Sequence, residues 1–319
     1  MAPAPDGDPP TVGRFAPSPT GRLHLGNLRT AIAGWLWARS AGGRFLVRME
    51  DLDRQTASAE HERSQLEDLD AIGVDHDGPV LRQSDRFEAH RRAIARLADA
   101  DLTYPCFCTR REIAEAATAP HGPLPEGAYP GTCRDLGSVE RARRAEERPA
   151  ALRLRADHEV VGFVDRIAGP YEGVVDDVVL RRNDGVPSYN LAVVVDDAFQ
   201  AVTQVLRGDD LLSSTPRQIH LQRLLGLPTP EYAHVPLVLN HEGRRLSKRD
   251  GAVTLPELAA LGLEPQEVAA RLLRSLGAPS EAPGSGEPGI RRAVGVFELA
   301  DVPRSPLVYR AEEWRGDDA

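Results

Sequence analysis

An open α/β sheet of parallel strands joined by crossover helices is the fold class this sequence predicts. Three observations carry that reading. Short apolar runs alternate with stretches of helical periodicity from Thr11 to Ala100. Turn-forming Pro and Gly punctuate them, as they do between strands and crossover helices. With 319 residues, 41% of them apolar, the chain can build about two domains and bury a sizeable core.

Met1–Pro10 is a Pro/Asp/Gly tail with no basic start and no apolar stretch, so it is expected to be disordered and is not a signal peptide. Thr11–Ala16 reads as a strand, and Pro17-Ser18-Pro19-Thr20-Gly21 as the loop after it. A helix begins near Leu25, with Leu28, Ile32 and Leu36 four residues apart, and Gly42-Gly43 stops it. Phe45–Met49 is a second strand ending at Glu50. Helical patterns follow at about Ala57–Ile72 and Arg86–Ala100. Residues 11–103 thus form the first half of the main domain.

From 104 to 187 the pattern changes. This stretch holds all three cysteines, the short β-like runs Glu159–Val164 and Val174–Leu180, and the turn signal Asn183-Asp184-Gly185. It reads as an insertion. Residues 188–227 complete the main domain. Leu191–Val195 and Ala201–Leu206 are apolar runs suited to buried strands. Thr215-Pro216-Arg217-Gln218 opens a helix with Thr215 as N-cap, and Gly226 closes it after Leu225. Residues 228–276 are expected to form a small helical region, helical from Pro256 to Leu276. In 277–319, Ala278–Gly289 is a linker.

No apolar run approaches the roughly 20 residues of a membrane helix, so the cytoplasm is the expected location. A net charge of −9 counts against a general nucleic-acid binder while leaving room for a local basic strip. The chain has 39 basic side chains, all arginine except Lys248. A lone lysine marks a position where a compact ammonium is needed and a planar guanidinium will not serve. Three cysteines are too few for a disulfide framework, and their clustering between Cys106 and Cys133 is unlike scattered core cysteines.

His24-Leu25-Gly26-Asn27 sits at a helix start, where free backbone N–H groups and the positive dipole end suit a triphosphate. Gly26 lets a flat base approach the backbone, and His24 can donate to a phosphate. Downstream, Arg245-Leu246-Ser247-Lys248-Arg249 lies in a polar loop before Asp250-Gly251. A lysine there can close over departing phosphates. The alternative is a solvated charge run.

Together these residues resemble a known family. Arg14-Phe-Ala-Pro-Ser-Pro-Thr-Gly21, His24-Leu-Gly26, Arg48-Met-Glu50-Asp-Leu-Asp53, Val205-Leu-Arg207-Gly-Asp-Asp-Leu211 and Arg245-Leu-Ser-Lys-Arg249 look like the motifs of glutamyl-tRNA synthetases, in the right order. The first and last pairs correspond to the HIGH and KMSKS elements of class I synthetases. The resemblance implies a Rossmann-like class I catalytic core, a ligase. The core would carry a metal-bearing insertion at 104–187 and a small C-terminal helical region with the lysine loop. His24 and Lys248 would be catalytic. ATP would be bound, with Mg²⁺, by His24, Gly26, Asn27, Arg245, Leu246, Ser247, Lys248 and Arg249. L-Glutamate would meet Arg14, Phe15, Ala16, Pro17, Ser18, Glu50, Tyr189 and Arg207. Arg207 would clamp the γ-carboxylate with its planar fork and Glu50 would take the α-ammonium. Asn27 and Arg249 depart from the usual histidine and serine of the two motifs.

Full-length glutamyl-tRNA synthetases carry a further anticodon-binding region, and none is expected here before Ala319. Short proteins of this kind resemble the glutamyl-queuosine tRNA(Asp) synthetases. These attach glutamate to queuosine at the wobble position of tRNA(Asp), which implies that RNA as partner to a monomer. Cys106-x-Cys108 and Tyr129-x-x-x-Cys133 resemble the zinc site of the short family: three thiolates and a phenolate around one structural Zn²⁺ per chain. His121 is an alternative fourth ligand, and three reduced unliganded cysteines the alternative to metal. Rival functions are a truncated synthetase charging a tRNA 3′ end and a non-catalytic paralogue that binds glutamate or RNA. A nucleotidyltransferase sharing the helix start is a third, and it would not need Arg207 and Glu50 together.

Overall fold

Five parallel strands form the central sheet of the computed structural model, which describes residues 10–109, 111–113, 128–246, 253–278 and 289–315. In chain order these strands are β1 (Val12–Phe15), β2 (Arg44–Met49), β3 (Leu81–Arg82), β9 (Gln204–Gly208) and β10 (Glu231–Val235). In space they run β10-β9-β1-β2-β3. The chain therefore builds outward from β1 in one direction, then returns to add β9 and β10 on the other side. The order reverses between β1 and β9, where open α/β sheets bind ligands.

Helices cover both faces. On one lie α1 (Leu25–Ser40) and the helix Pro265–Ser275, sharing a core in which Leu28, Ile32, Phe45, Leu272 and Leu273 are buried. On the other lie α3 (Phe87–Asp99) and the helices Tyr189–Phe199 and Thr215–Leu225, around Val12, Leu97, Val194 and Leu221. α2 (Ala59–Ala71) links β2 to β3, with the Ser58 hydroxyl as its N-cap.

Between α3 and the helix Tyr189–Phe199 the chain forms two antiparallel units. Strands β4 (Thr103–Cys106), β5 (Ala151–Leu154) and β8 (Val179–Arg181) make a small sheet, and β6 (Val160–Asp165) with β7 (Gly169–Val174) a hairpin. The hairpin docks on β10, where Arg166 N–H donates to the Tyr232 carbonyl at 2.9 Å. The helix Ser138–Glu147 buries no residue, and two of its arginines, Arg143 and Arg144, pair with Glu140 of the same helix.

Several expectations change. Leu191–Val195 is helical, not a strand. The Ser188 hydroxyl accepts from Leu191 N–H at the helix start, and residues 191–194 are buried in succession. Burial all round removes the polar face that would reveal a 3.6-residue period. The run Val174–Leu180 divides, its ends belonging to β7 and β8. Thr215 is the first residue of its helix and Ser214 the N-cap, because the Thr215 hydroxyl accepts from Arg207 instead of capping. The region expected to be helical from 228 begins with β10, an outer strand of the main sheet, so the sheet extends past 227. The stretch Pro256–Leu276 is two helices, Leu255–Ala259 and Pro265–Ser275, broken near Gly262 at φ +80°.

The C-terminal segment is anchored. Ile290, Phe297 and Trp314 are buried in the first core, and β12 (Leu307–Val308) pairs in parallel with β11 (Val238–Leu239). Apart from Pro10, the tail Met1–Pro10 lies outside the described residues, as do His121, Ser247, Lys248, Arg249 and most of the 278–289 linker. Among the described residues no helix is long and apolar enough to cross a membrane.

Candidate active site

A cavity of about 610 Å³ opens where the strand order reverses, at the carboxyl ends of β1, β2 and β9. It brings together Arg14, Phe15, Ala16, Pro17, Ser18, Glu50, Tyr189 and Arg207 at one end. His24, Gly26, Asn27, Arg245 and Leu246 line the other. All the expected glutamate residues and every described member of the expected ATP set therefore share one space.

The first end is a network of buried charge. Arg14 reaches across from β1 to donate to the Leu206 carbonyl at 3.2 Å, and its Nε lies 3.4 Å from Asp197. Arg48, fully buried, donates to Asp197 at 2.6 Å and approaches Glu50 at 3.5 Å. Burial would raise the Asp197 pKa, but Arg48 and Arg14 hold it below the ordinary range. Glu50 behaves oppositely: burial pushes its pKa up, and Arg48 and Arg14 only partly offset this. Glu50 is thus an under-compensated buried carboxylate, disposed to take a cation. Three guanidiniums (Arg14, Arg48, Arg207) against two carboxylates (Glu50, Asp197) leave one positive charge, the complement of a ligand of net charge −1.

Arg207 is held on all its nitrogens. Its Nε donates to His234 Nε2 at 3.0 Å. Nη1 donates to Gln218 at 2.8 Å and to the Tyr189 hydroxyl at 3.2 Å. Nη2 donates to Thr215 at 2.8 Å and to the Leu211 carbonyl at 3.4 Å. A carboxylate bound here would take over the two longest of these bonds, to Tyr189 and Leu211. Accepting from Arg207 requires a bare Nε2 on His234, so the proton sits on Nδ1, which donates to Asp165 at 2.6 Å. Burial lowers the His234 pKa against the pull of Asp165, keeping the ring neutral. Sequence reasoning missed Asp165, Asp197, Gln218 and His234; a histidine in the apolar run Tyr232–Val235 was the available signal.

At the other end His24 caps α1. Its Nδ1 accepts from the N–H groups of Gly26 at 3.0 Å and Asn27 at 3.4 Å, and the Asn27 side chain accepts from His24 N–H at 3.2 Å. The expectation of free N–H groups at this helix start is overturned: the histidine ring occupies these two, Leu25 N–H donates to the Val253 carbonyl at 2.9 Å, and Leu28 N–H donates to the His24 carbonyl at 3.1 Å. Burial lowers the His24 pKa, so the ring is neutral, and with Nδ1 accepting, its proton is on Nε2. That leaves one N–H donor for a phosphate oxygen. The need for glycine at 26 is also local: a Cβ there would lie 2.9 Å from the His24 ring, so the ring itself excludes a larger residue before any base approaches.

The lysine loop is anchored beside this end. Arg245 pairs with Asp210 at 2.8 Å before the undescribed stretch. After it, the Val253 carbonyl accepts from Leu25 N–H at 2.9 Å, and Glu257 accepts from the amides of Val253 and Thr254. Both ends of the loop thus border the His24 side of the cavity.

Cys106, Cys108 and Cys133 converge beside β4, with the Tyr129 hydroxyl among them. Cys108 Sγ lies 3.5 Å from Cys133 Sγ, and the Tyr129 oxygen 3.4 Å from Cys106 Sγ and 3.6 Å from Cys108 Sγ. Tetrahedral zinc with bonds of about 2.3 Å to sulfur sets ligand atoms about 3.8 Å apart, so these four atoms fit one ion. Burial pushes Cys108 up to about 12 and raises Tyr129 as well, whereas at Cys133 the effect of burial is outweighed by hydrogen bonds from the Phe107 N–H and the neighbouring donors, which hold that thiol below its ordinary range. Donors that suit the anionic forms are in place. Cys133 N–H donates to the Tyr129 oxygen at 2.8 Å, and the Arg153 guanidinium stacks 3.6 Å from the Tyr129 ring centroid.

Known proteins resemble this chain in sequence and in fold. The family model described as tRNA synthetases class I (E and Q), catalytic domain, matches residues 11–284. A glutamyl-Q tRNA(Asp) synthetase of Nocardia farcinica is 59% identical over 94% of this chain and 94% of its own. One from Cutibacterium acnes is 53% identical over 85% of this chain and 77% of its own. Among solved structures, the glutamate-tRNA synthetase of Elizabethkingia anophelis superposes with a TM-score of 0.80 at 29% identity, covering 96% of this chain and 69% of that one.

Proposed function

The chain belongs to the class I tRNA synthetases (E and Q), alongside relatives called glutamyl-Q tRNA(Asp) synthetases, and from that membership we propose that it uses ATP to form glutamyl-adenylate and passes glutamate to queuosine in tRNA(Asp). The observation that carries the reading is the cavity end where Arg14, Arg207 and Tyr189 face the under-compensated Glu50. That set suits the two carboxylates and the ammonium of glutamate.

In this reading Arg207, with Arg14 beside it, holds the γ-carboxylate, and Glu50 takes the α-ammonium. Phe15, Ala16, Pro17 and Ser18 shape the wall. The α-carboxylate attacks the α-phosphorus of ATP, and pyrophosphate leaves. His24 Nε2–H and Lys248 stabilise the phosphate oxygens as charge develops; positioning and electrostatics supply the rate. Gly26, Asn27 and the loop Arg245–Arg249 hold the nucleotide. Mg²⁺ accompanies ATP as part of the substrate.

Cys106, Cys108, Tyr129 and Cys133 would hold one Zn²⁺ per chain. With four protein ligands and no open position it would brace the insertion beside β4. The enzyme would work as a monomer, with residues 11–103 and the strands through β10 as the catalytic domain and 104–187 as its insertion.

Labelled glutamate, ATP and total tRNA, followed by nuclease digestion, test the reading. Label on an anticodon nucleoside is the expected result, and label on the terminal adenosine contradicts it.

A further inference from the structure

Residues 289–315 lie beyond the stretch that the family model matches, 11–284, and no role assigned so far uses them. They are tied to the rest of the chain on both sides of β12. Before it, Ile290 and Phe297 enter the first core, Arg291 pairs with Asp75 at 2.6 Å, and Gly295 N–H donates to the Ser40 hydroxyl at the end of α1 at 3.1 Å. After it, Trp314 enters the same core and the Arg315 carbonyl accepts from Arg271 at 3.0 Å.

Between these ties β12 meets a wall of the catalytic cavity. Pro236, Leu237 and Val238 line that cavity, and Val238 stands beside Gly26: a Cβ on Gly26 would lie 3.7 Å from the Val238 Cβ. The wall follows β10 but lies outside the main sheet, so its backbone groups need partners from other segments. β12 supplies two of them. Leu307 N–H donates to the Leu237 carbonyl at 3.0 Å, and Tyr309 N–H to the Leu239 carbonyl at 2.7 Å. From α1 the buried Arg29 donates to the Pro236 carbonyl at 2.7 Å and to the Ser275 carbonyl at 3.1 Å. Leu237 N–H donates to the Asp209 carboxylate. Leu239 also bridges to Arg245, which with Leu246 continues the cavity lining.

Resting on the assignment of this end of the cavity to ATP, we propose that β12 is a positioning strand for the nucleotide. The amides of Leu307 and Tyr309 hold the wall Pro236–Leu239 at the spacing from Gly26 that ATP requires. Neither residue lines the cavity, so the effect runs through the wall. Coupling of this kind is reciprocal: a strand pairing that favours the nucleotide is itself favoured by bound nucleotide.

Wild-type protein gives the first test. With a saturating non-hydrolysable ATP analogue, hydrogen exchange at the Leu307 and Tyr309 amides is expected to slow at least about threefold, and with glutamate alone to stay unchanged. Two variants give the second. Leu307→Pro removes one of the two amides, whereas Leu307→Ala loses the same side chain and keeps the amide. In glutamate-dependent pyrophosphate exchange, Leu307→Pro is expected to raise the KM for ATP about tenfold and Leu307→Ala less than about threefold, with the KM for glutamate within about twofold of wild type in both. Amide exchange that ignores the analogue overturns the proposal, and it decides the matter alone if Leu307→Pro does not fold. An unchanged KM for ATP in folded Leu307→Pro also overturns it. So does an equal rise in the two variants, which makes side-chain packing the cause, or an equal rise in both KM values, which makes the loss general. Wild-type protein without pyrophosphate exchange defeats the functional reading, whereas normal pyrophosphate exchange with unprotected β12 amides defeats only this inference.

Discussion

Arg207 donates its Nε hydrogen to Nε2 of His234 at 3.0 Å, and that bond exists only while the histidine is neutral and carries its proton on Nδ1. Asp165, at the end of β6, fixes that tautomer from outside the catalytic strands.

Asp165→Asn is therefore expected to loosen Arg207 without touching the ligand. The KM for glutamate in pyrophosphate exchange rises about tenfold, about 1.4 kcal/mol, with kcat changed less. A KM equal to wild type removes Asp165 from the account.

The pH dependence has a definite sign. Burial lowers the His234 pKa below its ordinary 6.5, so the unfolded chain takes up the proton more readily than the folded one. The stability this residue contributes is complete above pH 6.5 and is lost as pH falls through the lowered folded value. Denaturant midpoints measured downward from pH 7 are expected to fall more steeply for wild type than for His234→Gln.

Glu50 titrates in the opposite sense. Its raised pKa means that the carboxylate needed for an ammonium is lost at a higher pH than an ordinary glutamate would lose it. Glutamate KM is expected to climb as pH falls toward that pKa, and Glu50→Gln to give a high KM that no longer varies with pH in that range. A variant that retains the wild-type pH profile contradicts the ammonium assignment.

Lys248→Arg keeps the charge but spreads it over a planar fork. The activation rate is expected to fall about 100-fold, roughly 2.7 kcal/mol, with glutamate binding little altered. Near-wild-type exchange returns the lone lysine to coincidence.

Freshly purified protein is expected to carry about one zinc per chain, and Cys106→Ser to lower metal content and loosen the insertion. Protein never exposed to chelator and yet free of zinc refutes the cluster as a metal site.

The sequence made the polar half of the site legible because motif residues lie close together along the chain. Arg14 through Asn27 is one strand, loop and helix start, and the same residues surround the cavity. What escaped depends on contacts between distant segments. Asp197 meets Arg14 and Arg48 across more than 140 residues, and Asp165 meets His234 across 69. Neither acid stands out locally. Leu191–Val195 misled for a different reason: a helix buried on every side has no polar stripe, and only the Ser188 cap distinguishes it from a buried strand.

The most direct test of the central claim compares two preparations of tRNA(Asp), one from normal cells and one from a strain unable to make queuosine. With ATP and labelled glutamate, the account predicts incorporation into the first and none above background into the second. Equal incorporation into both would contradict it and identify the 3′ end as the acceptor.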